Sequence, residues 1–293
     1  MKAPATHLLW KLAFPAVVLT LWQASGHGGV IPTAWAIIHQ WILDWPLYRV
    51  HAGATSYRAL AGFALGACAA FPLAVLFCAS AVAERLMREI NIAILTMPAI
   101  VAGPLLALVF NGNTPQILLA ALLSYYPCMT ATLLGLRAVD PRWLDLVSAY
   151  GGGSATAFRL VRLRACVPGF LSGLKSALPV AFMGAVLGEL GSGADPGLGS
   201  FLLNALGQAN TARLWGIGLT VAALSLGGYM LLAWMQQYFS NVQPVTMITA
   251  EDSAPSPCHV PSWLTATGAV LLPFGLWGAG VHLAHLSPII APG

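Results

Sequence analysis

The sequence predicts an all-α protein, a polytopic bundle of membrane helices, and three observations support that fold class. Hydrophobic residues make up 58% of the 293 residues and charged residues only 8%, whereas soluble domains have about 25% charged residues. The mean hydropathy is +0.78. Seven apolar runs each approach or exceed the roughly 20 residues that a bilayer-spanning helix needs. A surface so poor in charge has to be covered largely by lipid.

The seven predicted spans follow one another along the chain, and the prolines inside several of them are compatible with membrane helices and can mark bends. They cover residues 8–25, 56–80, 91–111, 116–136, 170–190, 214–236 and 263–286. Residues 26–55 are expected to form an outer connection with a short amphipathic stretch around Trp35 to Trp45. Residues 191–213 begin too polar to span, and their FLLNAL core predicts an interfacial or re-entrant turn.

The distribution of basic residues predicts that the N-terminus lies in the cytoplasm. With that orientation only Arg49, Arg58 and Arg213 of the thirteen Lys and Arg residues lie outside. The inner set is Lys2, Lys11, Arg85, Arg88, Arg137, Arg142, Arg159, Arg162, Arg164 and Lys175. The loop 139–169, with four arginines and a glycine triplet, is then cytoplasmic, and the last span puts the C-terminus outside.

The same features divide the chain into four parts. Residues 1–54 hold the first span and the outer connection, and residues 55–240 form the central bundle with the loop 139–169. Residues 241–262 are rich in proline, contain two acids and no Lys or Arg, and predict a flexible linker. Residues 263–293 add a C-terminal transmembrane helix.

Three stretches of the chain have a distinctive sequence: SYRALAGFALGACAAFPLAVLF (56–77), residues 97–145, and AVLGELGSGADPGLGSFLLNA (185–205). They resemble the second helix, the third and fourth helices, and the end of the fifth helix with the loop that follows, in the inner-membrane permease of binding-protein-dependent ABC importers. Within that family the resemblance is to the group that handles nitrate, sulfonate, taurine, bicarbonate and thiamine-precursor-like solutes. The resemblance implies a type I permease core of six helices, and residues 55–240 are the region that carries the resemblance. The span 263–286 has no counterpart in that pattern.

The family's ATPase-coupling motif reads Glu-Ala-Ala, three residues, Gly, and further on Ile-x-Leu-Pro. Here Asp145, Leu146 and Val147 stand at the Glu-Ala-Ala positions and Gly151 at the glycine. Leu163 and Arg164 stand where Leu-Pro is usual. The residues to which the resemblance gives a role in coupling to the ATPase are Arg142, Asp145, Tyr150 and Gly151.

The local chemistry of the loop adds two expectations. A helix over 142–150 should end at Gly151 in a conformation with positive φ. Asp145 is expected to cap a helix or to meet a basic residue in a groove of the ATPase. The alternative is that the loop is basic only because it fixes membrane topology.

Three polar residues are predicted to line the solute path: Glu189, Asn204 and Ser124. Glu189 lies at the outer end of the fifth span, where an acid is a functional-site hypothesis. It is expected to line the outer gate or to pair with Arg213, with solvation by lipid headgroups as the alternative. For Asn204 and Ser124 the alternative is hydrogen bonding between helices or helix capping.

The sequence predicts neither a catalytic centre nor a metal site. His282 and His285 share a helix face but have no carboxylate or thiolate nearby. The glycine triplet lacks the GK[ST] of a P-loop, so we expect no cofactor in this chain and ATP bound by a partner. The partners implied are a cytoplasmic ATP-binding cassette subunit, a second permease copy or paralogue, a periplasmic or lipid-anchored solute-binding protein, and membrane lipid, with no nucleic acid.

The predicted function is that of the transmembrane subunit of an ABC importer in the bacterial inner membrane. Its substrate is expected to be a small anion such as a sulfonate or nitrate, or a similar small organic solute. A polytopic enzyme acting on a lipid is one alternative, although the nine Asp and Glu residues form no DxxxD or HExxH pair. A permease-like assembly or sensor protein without transport is the other.

Overall fold

The computed structural model describes Trp22 and residues 32–242, and the regular structure of this part is helical. The helices, in chain order, are α1 (Ala34–Leu43), α2 (Trp45–Ala79), α3 (Ala81–Thr96), α4 (Ala99–Val109), α5 (Thr114–Arg137), α6 (Pro141–Ala149), α7 (Ser154–Ala157), α8 (Leu163–Ser192), α9 (Leu198–Gly207) and α10 (Thr211–Val242). A π-helical turn, Phe158–Arg162, joins α7 to α8. Apart from Trp22, the predicted span 8–25 lies outside the described residues, as do the span 263–286 and nearly all of the linker 241–262.

Within this part of the chain the predicted all-α membrane bundle is confirmed. Four helical stretches are long and apolar enough to cross a bilayer, namely Trp45–Ala79, Thr114–Arg137, Ser154–Ser192 and Thr211–Tyr238. A fifth crossing is formed if α3 and α4 together count as one span. These crossings correspond to the five predicted spans between residues 56 and 236.

The predicted span 91–111 is broken, because α3 and α4 meet at an angle of 95°. The break falls at Met97 and Pro98, which both have extended backbone conformations. Proline has no N–H for a helical hydrogen bond, and its ring disfavours a helical conformation in the residue before it. Before the break, α3 begins with Ser80, whose hydroxyl accepts a hydrogen bond from the Ala83 amide.

Two helices begin earlier than the apolar runs predicted. Helix α2 starts at Trp45 rather than near residue 56, with Pro46 in its first turn, so the predicted boundary 54/55 falls inside one helix. Helix α8 starts at Leu163 rather than at 170 and carries Pro168 within it. The remainder of the predicted outer connection contains α1, whose N-cap is Thr33.

Helix α5 lies between α2 and α8, and the three approach closely at small residues. A Cβ built on Gly62 of α2 would lie 2.5 Å from the Ala120 Cβ, and one built on Gly184 of α8 would lie 2.7 Å from the Ala120 Cα. Membrane helices associate through such small residues, since lipid gives no hydrophobic gain for bringing large apolar side chains together. The order of the contacts shows that α2 and α5 run parallel, with α8 antiparallel to both.

The predicted interfacial or re-entrant segment 191–213 contains α9, which is too short to span. Its apolar face is covered by α2, α8 and α10, and Phe201 is buried among them. The Phe201 ring is stacked on His51 at 4.7 Å and meets Tyr48 edge-on at 5.3 Å. Helix α9 is therefore held at one end of the bundle, the end that the charge distribution predicts to be outside.

Candidate functional site

The first candidate site is the basic segment, residues 139–162, at the predicted cytoplasmic end. Asp140 begins α6, and its carboxylate accepts a hydrogen bond of 2.9 Å from the Arg142 amide. The expectation that Asp145 caps a helix is wrong, because Asp145 lies in the middle of α6. Asp140 and Pro141 together form an N-cap followed by proline in the first turn, a signal that the sequence already contained.

The predicted end of this helix is confirmed. Gly151 has φ +76°, and its amide donates to the Ser148 carbonyl over 2.9 Å. A Cβ on Gly151 would meet no atom within 4 Å. The restriction at this position is therefore one of backbone conformation and not of space.

Helix α6 leaves all of its residues at least partly exposed. Arg142 and Asp145 are exposed, and so are two aromatic side chains: Trp143 is 59% and Tyr150 86% accessible. An exposed aromatic pair on a short helix is a surface suited to a partner. The coupling role of Arg142, Asp145, Tyr150 and Gly151 stays a prediction.

The second candidate site is a buried polar cluster around Glu189 at the other end of α8. The Glu189 side chain is 0% and the Arg58 side chain 5% exposed, and Arg58 Nη1 lies 2.8 Å from Glu189 Oε1. The Thr55 hydroxyl also donates to this carboxylate, at 2.8 Å from Oε1. Arg58 donates further to the Pro196 carbonyl at 2.7 Å and to Asn113 Oδ1 at 3.0 Å. The cluster thus ties together α2, α8 and the chain before α5 and α9.

Two expectations about these charges are corrected by the cluster. Arg58 is not a residue of the outer surface, because it lies inside α2 and is buried. Glu189 pairs with Arg58 and not with Arg213, whose Nε lies 2.6 Å from Asp44 Oδ2. The signal for Arg58 was its position within the run 56–80, since a cation inside a span is usually buried against a partner.

The Asp44–Arg213 pair lies beside the cluster and joins the start of α2 to the start of α10. Burial acts to raise the pKa of Asp44, but the hydrogen bonds from Arg213 and Gln40 and the charge of Arg213 outweigh it. The pKa of Asp44 is therefore held below its usual value, and Asp44 stays a carboxylate through the neutral pH range.

The other two predicted path residues differ in their surroundings. Ser124 is fully buried on α5 against α2, and a Cβ on Gly66 would lie 2.5 Å from its hydroxyl oxygen. Asn204 is exposed on α9. The assignment of Glu189, Asn204 and Ser124 to a solute path stays a prediction. Among the described residues, no three His, Cys, Asp or Glu side chains are grouped to hold a metal ion.

Several curated proteins are similar in sequence to this chain, and their names describe the same kind of protein. A Haemophilus influenzae protein named as a probable ABC transporter permease is 29% identical over 238 residues, which cover 79% of this chain and 97% of that protein. A Bacillus subtilis protein named for aliphatic sulfonates transport as a permease is 28% identical, over 78% of this chain and 88% of its own length. A formylaminopyrimidine transport permease of Halalkalibacterium halodurans is 27% identical over 64% of this chain and 77% of its own length.

A solved structure shares the fold. A chain from the crystal structure of an amino acid ABC transporter with histidines superposes with a TM-score of 0.52 at 18% identity, covering 70% of this chain and 97% of that one. The family model for the binding-protein-dependent transport system inner membrane component matches residues 62–241, more than half of the chain. That family is one of transport components and not of enzymes. This protein belongs to the binding-protein-dependent transport system inner membrane component family and is a multi-pass ABC transporter permease of the inner membrane.

Proposed function

We propose that this chain forms one half of the solute path of an ABC importer, and that α6 is where a separate ATPase subunit binds. The observation that carries the proposal is the exposed apolar surface of α6. Trp143, Leu146 and Tyr150 follow one another at intervals of three and four residues, so they share one side of the helix and its last turn. All three are exposed on a segment that the arginines assign to the cytoplasm.

The backbone of α6 suits a rigid contact. Asp140 fixes its first turn and Gly151 ends it, so the aromatic side chains are carried by a short helix with defined ends. A helix whose apolar side enters a groove is a common mode of recognition between proteins. The neighbouring Arg142 and Asp145 would supply polar contacts at the rim of such an interface.

Movement at α6 has a direct route to the membrane helices. After Gly151 the chain passes through α7 and the π-helical turn into α8 without another break. Helix α8 then packs along α5, where glycines allow backbone contact. Displacement of α6 by a partner that binds ATP would therefore act on the centre of the bundle.

The remaining partners follow from the same proposal. ATP binds to the ATPase subunit, and this chain holds no cofactor. A second copy or a paralogue supplies the other half of the path, and a periplasmic or lipid-anchored solute-binding protein delivers the solute. Loss of the ATPase on purification under conditions that keep the membrane complex intact would favour the assembly or sensor alternative.

The substrate proposed is a small anion such as a sulfonate or nitrate, or a similar small organic solute. Relatives are named for aliphatic sulfonates, formylaminopyrimidine, riboflavin and glycine betaine, which are small polar or charged molecules. Their variety supports a small polar organic solute and favours neither an anion nor one compound. Mass spectrometry of the solute retained by the purified complex with its binding protein tests this point directly.

The ATPase contact is tested by truncating one aromatic side chain. Trp143→Ala should weaken binding of the ATPase subunit by about tenfold or more, because buried aromatic anchors dominate interface energies. Trp35→Ala is the matched control, since Trp35 is 69% exposed but lies on α1 at the opposite end of the bundle. Binding of the ATPase subunit is measured on complexes in nanodiscs. If the wild type and both variants bind it equally well, α6 is not the contact with the ATPase.

A further inference from the structure

The start of α9 is held by side chains that belong to other helices. Gly197 is the N-cap residue and has no side chain with which to cap the helix. The Gly197 amide instead donates to His51 Nδ1 at 3.0 Å, and the Leu198 amide donates to the Thr55 hydroxyl at 2.8 Å. The Gly199 amide donates to Glu189 Oε2 at 2.8 Å. Three successive backbone donors, which a helix start normally leaves unpaired, are thus satisfied from α2 and α8.

The backbone of this segment rests directly on the Glu189 side chain. A Cβ on Gly197 would lie 2.5 Å from Glu189 Cδ, and a Cβ on Gly199 would lie 2.7 Å from Glu189 Cβ. Glycine at both positions lets the chain approach the carboxylate closely enough for these hydrogen bonds. The position of α9 is therefore set by the position of Glu189.

The carboxylate is fully partnered although it is buried. It accepts hydrogen bonds from the Thr55 hydroxyl, the Arg58 guanidinium and the Gly199 amide, and the start of a helix favours a negative charge. A buried charge is tolerated only with such partners, and removing one of them leaves the other charge uncompensated. The cluster is therefore a specific fastening between three elements.

Helix α8 connects this fastening to the other end of the molecule. It runs without interruption for 30 residues, about 45 Å at 1.5 Å per residue. Its first residue follows the basic segment, and Glu189 lies in its last turn. A displacement that enters α8 beside α6 reaches the α9 arm, residues 193–207, through one helix and one carboxylate.

We propose that Glu189, with Arg58 and Thr55, is a positioning group that couples the α9 arm to α8, so that the arm at the outer end follows the movement of α8. The proposal rests on the proposed function, because it assigns the driving movement to an ATPase bound at α6. This positioning role differs from lining the solute path, because the Glu189 carboxylate contacts the backbone of the α9 arm and not the solute.

The first measurement is hydrogen–deuterium exchange on the permease alone. The double variant Arg58→Met/Glu189→Ala removes both charges together, which avoids the orphaned ion left by either single change. Exchange in the peptide that spans residues 193–207 should become at least tenfold faster, while peptides from α5 and α10 keep their wild-type rates. Ser200→Ala is the control, since the Ser200 hydroxyl donates to the Gly197 carbonyl within the arm itself. Unchanged exchange of the arm in the folded double variant would overturn the proposal.

The second measurement is made on the assembled complex with its ATPase and binding protein. The ratio of solute-stimulated to basal ATP hydrolysis should fall towards one in the double variant and stay at the wild-type value in Ser200→Ala. The opposite outcome is that the double variant loses transport but keeps the wild-type stimulation ratio and the wild-type exchange rates. That result would assign Glu189 to the solute path and overturn the proposal. A failure of the proposed function gives a different result. The wild-type chain would then bind no ATPase subunit, whereas the hydrogen–deuterium exchange of the permease alone would be unaffected.

Discussion

Gly151 is the residue on which the shape of the basic segment depends. Its positive φ lets the chain turn sharply after α6 and continue into α7. A residue with a side chain loses on the order of 1–2 kcal/mol in this conformation, and a β-branched residue is the least tolerated. The same position has open space around it, so steric crowding and backbone strain can be separated by experiment.

Gly151→Val should uncouple ATP hydrolysis from solute while the permease still inserts and binds its partners. Under the proposed function, valine at this position would tilt α6 relative to the ATPase subunit, so the expected result is a loss of solute stimulation with basal hydrolysis present. Gly153→Val is the matched control two residues away, because Gly153 also has open space but a φ of −80° that any residue adopts. Solute-stimulated ATPase activity in proteoliposomes, measured beside uptake, compares the two. Equal stimulation in both variants would leave the segment as a topology determinant.

The contact between α5 and α8 shows what holds the bundle together at the level of helices. Glycines of α8 approach the backbone of α5 at several levels, including Gly169 against the Ala131 carbonyl and Gly188 against the Gln116 Cα. Contacts of this kind depend on the absence of a Cβ, since even one methyl group would push the two backbones apart. Large apolar side chains on the outer faces of the bundle carry no such restriction.

Adding one methyl group should therefore have opposite effects at two helical glycines. Gly184→Ala places a Cβ 2.7 Å from the Ala120 Cα and should destabilise the bundle by about 1–3 kcal/mol. Gly218→Ala on α10 meets no atom within 4 Å and should be neutral or stabilising by up to about 1 kcal/mol. Apparent melting temperatures at one scan rate, in the same detergent, give the comparison. A stable Gly184→Ala protein would mean that α5 and α8 separate without cost.

Hydropathy alone predicted some helices closely and others poorly, for identifiable reasons. The run 116–136 differs from α5 by one or two residues at each end, because polar residues and Arg137 bound it on both sides. The start of α2 was missed because the residues from Trp45 to Arg58 mix aromatic, basic and small side chains, as an interface does. The bend at Pro98 was one of two possibilities that the sequence left open, since proline inside a membrane helix can mark a bend or be tolerated without one.

The polar cluster was the least predictable feature. The sequence identified Glu189 as unusual, but its partner Arg58 is 131 residues away along the chain. Only the packing of α2 and α8 on α5 brings these two side chains together, and hydropathy carries no information on which helices are neighbours. Arg213, which is nearer in sequence, was the natural expectation.

The molecule as a whole has two opposite ends with different chemistry. One end carries the basic segment with its exposed aromatic side chains, and there Arg137 pairs with Glu84 at 2.6 Å. The other end carries α9, the Glu189 cluster and the Asp44–Arg213 pair. Helices α2 and α5 run from one end to the other in the same direction and α8 runs back, which is the arrangement that the positive-inside rule predicts for this chain.

Membrane topology is tested with one cysteine at each end. Ser154→Cys should be unreactive towards an impermeant maleimide in intact cells and become reactive after permeabilisation, because the basic segment is predicted to be cytoplasmic. Asn204→Cys should react in intact cells once the reagent can cross the outer membrane. Ser154 and Asn204 are both exposed. The signal of the wild-type chain, with its five native cysteines, is subtracted. The reverse pattern of labelling would invert the topology and the assignment of α6 to the ATPase side.

The separation of Arg58 and Glu189 along the chain also has a consequence during biosynthesis. At about 5–20 residues per second, the 131 residues between them take roughly 7 to 26 seconds to translate. Throughout that interval the Arg58 guanidinium of α2 lacks its carboxylate, and an arginine at the centre of a membrane helix costs about 3 kcal/mol. The nascent α2 therefore depends on headgroups, water or the insertion machinery until α8 arrives. The arrival of α8 then secures α2, and α9, which follows α8 in the chain, is fixed by the same carboxylate.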